Sequence, residues 1–316
     1  MDTKKIVVTG ATGFVGSNLA RYFAKQNHEI HLLIRSFSNT WRIADIFDEI
    51  NVHKVDLTAP LELEKVVSSI RPDVILHTAA YGGHSFQKDT DKIFEVNLQG
   101  TINLVKACQG LDYELFVNTG SSSEYGVKRK PMLETDVCEP VEDYGVSKAA
   151  ATMYCQMAAC RDNKPIITFR LFSPYGSYDD STRLIPSVII SCLNGLPPKV
   201  SSPDFVRDYI YIRDVINAYN KAIETAHLQS PGEIFNVGSG EQQSVGDIVK
   251  YILQIVNKNI EPEWGSPSKR QNEPLIWQAN ASKVENSLSW TPRYSIEQGL
   301  CETVEWFSKN IGLYGG

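Results

Sequence analysis

Long apolar runs are missing from this 316-residue chain, and none approaches the ~20 residues that a membrane-spanning helix requires. A leader-like segment is also missing: the first apolar run begins at Lys4, so a cytoplasmic protein with no membrane partner is expected. An excess of basic charge is absent. The net charge is −6 and the longest basic run is Lys128-Arg129-Lys130, a solvated loop face, so no nucleic-acid partner is expected. Six cysteines contain no Cys-x-x-Cys pair and six histidines no His-Glu-x-x-His helix, so reduced thiols and no metal site are expected. Internal repeats and low-complexity segments are missing too. With 42% hydrophobic and 22% charged residues, the chain is long and apolar enough to bury a full core, which excludes a disordered protein.

Alternating apolar runs and amphipathic segments are what the chain does have. The runs are 6–9, 30–34, 52–55, 74–77, 115–119 and 166–171, and the helical patterns lie at 61–70, 93–108 and 144–160. Such alternation predicts an α/β fold built on a parallel sheet with crossover helices. Beyond Phe172 the pattern loosens into loops rich in Ser, Pro and Asp.

Two motifs carry chemistry. Gly10-Ala11-Thr12-Gly13-Phe14-Val15-Gly16 follows the first strand directly and opens a helix. A strand, a glycine-rich turn and a helix N-terminus bring backbone N–H groups and a positive dipole end to a pyrophosphate. The second is Tyr144-Gly145-Val146-Ser147-Lys148, which puts a phenol and an ammonium on one helix face. A cation beside the phenol favours the phenolate, and such a pair can exchange a proton with an alcohol.

Glycines at spacing GxxGxxG near the N-terminus, followed by Tyr-x-x-x-Lys, resemble the short-chain dehydrogenase/reductase superfamily. Further matches resemble its extended branch, the nucleotide-sugar epimerases, dehydratases and reductases. They are His77-Thr78-Ala79-Ala80, the Asn97–Leu104 helix, Ser121-Ser122-Ser123-Glu124-Tyr125-Gly126, Arg170–Gly176, Arg207–Asp214, Phe235–Gly240 and a closing Glu297–Trp306. The resemblance spans essentially the whole chain. It implies a Rossmann-type doubly wound parallel sheet (1–172 plus about 206–237) and a smaller α/β C-terminal substrate-binding domain (about 173–205 plus 238–316). The active site would lie between the two.

Site residues follow from the same resemblance. Gly10, Thr12, Gly13, Phe14, Val15, Gly16, Asp56, Leu57, Thr78, Ala79, Ala80 and Asn97 are expected at a nicotinamide dinucleotide, with Tyr144 and Lys148. At the end of the second strand stands Arg35, where an acid would accept the adenosine ribose hydroxyls. An arginine pairs instead with a 2′-phosphate, which favours NADP(H) over NAD(H). Tyr144, Lys148 and a serine form the expected catalytic set. Counting back from Tyr125-Gly126 selects Ser121, whereas alignment on Glu124 selects Ser122, the preferred choice. Tyr81, His84, Ser123, Ser173, Arg207, Arg270 and Glu273 are expected at a nucleotide-diphosphate sugar. Ser173 replaces an asparagine common in the family. Arg35 favours an NADPH-dependent reductase of a nucleotide-linked 4-keto-6-deoxy-hexose. An NAD-dependent 4-epimerase is the alternative. A dehydratase is disfavoured because no Asp-Glu or Ser-Glu pair stands two residues before the Tyr-Gly, and a non-catalytic cofactor binder because Tyr144 and Lys148 are both present. A homodimer through the helices at 93–108 and 144–160 is expected.

Overall fold

Residues 3–84, 86–265 and 275–314 are described by the structure, a computed structural model. The expected apolar runs all form strands: β1 (Lys5–Thr9), β2 (Glu29–Ile34), β3 (Asn51–Lys54), β4 (Val74–His77), β5 (Leu115–Ser121) and β6 (Ile166–Leu171). Between them lie α1 (Phe14–Ala24), α2 (Pro60–Ile70), α3 (Thr90–Phe94), α4 (Gly100–Cys108) and α5 (Asp143–Asp162). The segment expected as one helix over 93–108 carries a π-helical turn at Glu95–Gln99, which holds Asn97 in the interior.

β7 (Pro174–Tyr175), α6 (Leu184–Leu193), β8 (Lys199–Val200), β9 (Val206–Asp208), β10 (Ile210–Tyr211) and α7 (Ile212–Glu224) follow. The chain ends with β11 (Ile234–Val237), β12 (Gln242–Ser244), α8 (Val245–Val256), β13 (Glu263–Trp264), α9 (Ser282–Leu288) and α10 (Ile296–Asn310). Seven strands make one all-parallel sheet in the order β11-β6-β5-β4-β1-β2-β3.

Parallel neighbours need crossovers, and helices on both faces bury the strands from both sides. Val7, Ile75 and Phe116 point to the face covered by α2, α4 and α5. Their neighbours Ile6, Val8, Val74, Leu76, Leu115 and Val117 point to the face covered by α1 and α7. The sheet order reverses between β1 and β4, and a crevice opens there beyond the C-terminal strand ends.

Short ladders beyond β6 wall that crevice: β7 pairs with β10, and β9 runs antiparallel to β12. The buried Asp208 carboxylate accepts from Ser239 N (2.7 Å), Ser239 Oγ (2.7 Å), Gly240 N (3.1 Å) and Ala279 N (2.9 Å), which ties the C-terminal segment to β9. Among the described residues no helix is long and apolar enough to cross a membrane. No group of three or more His, Cys, Asp or Glu side chains there could hold a metal ion.

Candidate active site

The glycine-rich turn is shaped by contacts that no side chain could share. Gly10 has φ +67°, and a Cβ there would lie 2.6 Å from Ala79 N. At Gly16 a Cβ would meet Gly10 O at 2.5 Å and Thr78 Oγ1 at 2.6 Å. The turn therefore seats against the end of β4, where Thr78 Oγ1 donates to Thr9 O (2.7 Å). The first turn of α1 contains no acidic residue, so nothing opposes an anion at its free N–H groups. Val15 lines a cavity that also reaches Thr78 and Ala80. These features fit a dinucleotide pyrophosphate.

Arg35 stands just past β2, half-buried, with its guanidinium stacked 4.8 Å from the Phe37 ring. Among the described residues no carboxylate pairs with it. Asp56 and Leu57 follow β3. Asp56 Oδ1 accepts from Thr58 N (3.0 Å) and Thr58 Oγ1 (2.9 Å), and Leu57 is buried against α4. Asn97 is fully buried. Its amide donates to Tyr81 O (2.7 Å) and Ser147 Oγ (2.9 Å) and accepts from Tyr81 N (2.7 Å). That side chain braces the loop after β4 against α5 with both of its N–H donors used, while Oδ1 keeps one acceptor site.

Tyr144 and Lys148 both line a cavity of about 990 Å³ at the C-terminal ends of the strands. Lys148 is buried apart from the end that meets the cavity, and its ammonium has no hydrogen-bond partner among the described residues. Burial pushes the lysine below its ordinary value, and the Glu124 charge opposes that. An ammonium so placed fits the hydroxyls of a nicotinamide ribose.

Burial raises the Tyr144 phenol above its usual 10; the Ser121 hydroxyl and the Arg183 charge act to lower it, and Glu124 to raise it. Arg183 is thus a cation acting on the phenol. Lys148 is directed at the cavity and no hydrogen bond joins it to Tyr144.

The serines divide by their bonds. Ser121 ends β5 and caps a short helical turn at Ser122–Glu124, its Oγ accepting from Ser123 N at 3.1 Å. With an acceptor site occupied, its O–H is left to face the Tyr144 phenol and the cavity. Ser122 Oγ instead accepts the Trp277 indole N–H at 3.1 Å. Of the two serines carried as candidates, Ser121 is the one whose hydroxyl acts on the Tyr144 phenol.

On the substrate side the structure gathers Ser123, Ser173, His84 and Arg207 around the cavity. His84 stacks on Phe86 at 5.3 Å, and its Nδ1 is 4.0 Å from Asp180 Oδ1. Burial lowers its pKa while Asp180 acts the other way. Tyr81 is not among the lining residues; it is held by its main chain while Lys92 lies 4.8 Å from its ring. Arg270 and Glu273 lie outside the described residues. Arg183 and Trp277 are among the lining residues that escaped the sequence reading. Arg183, just before α6, adds a second guanidinium to Arg207, and Trp277 lies 5.1 Å from the Arg207 guanidinium. No local pattern marks either, since both arrive from distant segments.

Comparison with known proteins agrees with this geometry. Residues 6–238 match the NAD dependent epimerase/dehydratase family. The chain is 24% identical to a dTDP-glucose 4,6-dehydratase of Neisseria meningitidis, covering 97% of this chain and 94% of that protein. It is 25% identical to a GDP-6-deoxy-D-mannose reductase of Pseudomonas aeruginosa, covering 94% and 95%. Among solved structures, a UDP-glucuronic acid 4-epimerase of Bacillus cereus, in complex with UDP-glucuronic acid and NAD, superposes with a TM-score of 0.87. Identity there is 26%, over 97% of this chain and 99% of that one.

Proposed function

From the premise that this chain belongs to the NAD dependent epimerase/dehydratase family, we propose that it reduces the 4-keto group of a nucleotide-linked 6-deoxy-hexose with NADPH. The observation that carries the reading is Arg35, a half-buried guanidinium just past β2, where the adenosine ribose would lie, with no carboxylate paired to it among the described residues. A forked cation there suits a 2′-phosphate. When bound, NADPH supplies a hydride to a carbonyl carbon. Arg183 and Arg207 would hold the substrate diphosphate. Ser121 would donate a hydrogen bond to the ketone oxygen, and Tyr144, kept protonated by burial, would deliver the proton that oxygen takes up. Lys148 would orient the nicotinamide ribose.

A dehydratase needs a further acid and base close to the reacting carbons. The serine turn facing the phenol offers only hydroxyls and Glu124 does not line the cavity; of the carboxylates that do, Glu142 and Asp143, the Asp143 Oδ2 accepts from Thr90 Oγ1 at 2.6 Å. A 4-epimerase is the second reading. The likeness to the UDP-glucuronic acid 4-epimerase supports it, and Gly82 and Gly83 let the loop after β4 pass close to the Tyr144 ring, where Cβ atoms would come within 3.5 and 3.8 Å of it.

The test is incubation of the purified protein with GDP-, CDP- and dTDP-linked 4-keto-6-deoxy-hexoses while NADPH absorbance is followed. Stoichiometric NADPH loss is expected. Interconversion of UDP-sugars with no net cofactor change would overturn the reductase in favour of the epimerase.

A further inference from the structure

Glu124 is fully buried, lies beneath the catalytic turn and does not line the cavity. Its Oε1 accepts from the Ser121 main-chain N–H at 2.9 Å and from Thr152 Oγ1 at 3.1 Å. Its Oε2 accepts from Arg170 Nε at 2.7 Å. Arg170, 4% exposed, reaches Glu134 O (3.4 Å) and Cys138 Sγ (3.2 Å), and its guanidinium lies 4.6 Å from the Tyr125 ring. The backbone is shaped around this carboxylate, because a Cβ on Gly120 would fall 2.5 Å from Glu124 Oε1.

A buried ion pair is a poor stabilising device. Each ion loses several kcal/mol of hydration, and an apolar pair of similar volume does as well or better. Its placement is what distinguishes it. Ser121 faces Tyr144, and Thr152 sits one helical turn beyond Lys148 on α5, so the carboxylate is bonded to both elements that carry the proton-transferring groups.

We propose that Glu124 is a positioning residue of that set. It holds the Ser121 main chain level with the Tyr144 phenol and fixes a negative charge beneath Tyr144 and Lys148. The inference rests on Tyr144, Lys148 and Ser121 acting together, and applies equally to the reductase and the epimerase readings. The groups facing the carboxylate are Arg170 from β6, Lys148 and Cys155 from α5, and Tyr125 on its own turn. Glu134 and Cys138 come from the loop before α5, and Arg183 stands across the cavity. The direction of the field supports the assignment: the Glu124 charge raises both the tyrosine and the lysine pKa.

Two variants test it, Glu124→Gln and the charge-free pair Glu124→Gln/Arg170→Gln, the second leaving no unpaired buried cation if the first does not fold. Tyr144 ionisation is read without substrate, as the ultraviolet titration difference between each background and the same background carrying Tyr144→Phe. The tyrosine is expected to titrate at lower pH in either folded variant. With an accepted substrate, kcat is expected to fall roughly 10- to 100-fold with little change in KM, as a small misplacement of a reacting group produces. A folded variant with an unmoved Tyr144 titration would overturn the proposal. If the wild-type protein turns over no nucleotide sugar, the functional reading fails, and the titration still decides the role of Glu124.

Discussion

Replacing Arg35 with alanine tests the residue on which the proposed NADPH preference rests. The guanidinium is half-buried and stacked on Phe37 at 4.8 Å, so it is held in place before any ligand arrives. A hydrogen bond to a charged group is worth about 1.5–3 kcal/mol. At about 1.4 kcal/mol per factor of ten, losing it weakens NADPH binding roughly 10- to 150-fold. NADH has no 2′-phosphate, and its affinity should change no more than about twofold, the loss of one weak contact. Arg35→Lys keeps the charge without the fork and should fall between. The assay is fluorescence titration of the purified protein with each reduced cofactor at about 0.15 M salt, where screening of the exposed side is defined. Equal losses for NADPH and NADH would refute the reasoning, as would a wild-type protein that binds NADH more tightly.

Ser121→Ala should lower kcat by roughly 100- to 1,000-fold, the effect of removing one donor to a developing oxyanion, whereas Ser122→Ala should cost under about tenfold; steady-state kinetics on both variants separates the roles. The fully buried His77, held between Thr9 Oγ1 (2.7 Å) and Thr101 Oγ1 (2.8 Å), is pushed down to about 3 by burial. The unfolded chain binds the extra proton first, so this stability is present above about pH 6.5 and is lost as pH falls towards 3. It amounts to at most about 5 kcal/mol, and urea unfolding at pH 7 and 4.5 should show a smaller difference in His77→Gln. Phe116→Ala should cost about 3–5 kcal/mol in the same assay at pH 7, because the ring is fully buried on the α2–α4–α5 face of the sheet.

Local patterns were legible in the sequence wherever a residue's role depends on its near neighbours. Strand runs, the turn between Gly10 and Gly16, and the Tyr144–Lys148 spacing are of this kind, and each stands within a residue or two of its expected place. Roles set by distant segments were not legible. Ser121 and Ser122 are adjacent and chemically identical, and they are told apart by Trp277, 155 residues beyond Ser122. Asn97 matched a motif, but its amide donating to Tyr81 and Ser147 is a result of the π-helical turn that turns it inward. Arg183 reaches the phenol field from a loop whose composition suggested only a connection.

The last strand of the sheet, β11, comes from residues 234–237 and pairs with β6, more than sixty residues earlier in the chain. A ribosome must therefore release β7, β9 and β10 of the crevice walls before the sheet that supports them is complete. Until Ile234–Val237 emerges, β6 presents an open edge of unpaired amides. This order of synthesis puts the vulnerable period late, when the chain is long and its nucleotide-facing half is already formed. Fragments ending near Phe172 should aggregate through that edge, and supplying residues 206–240 in the same chain should suppress it.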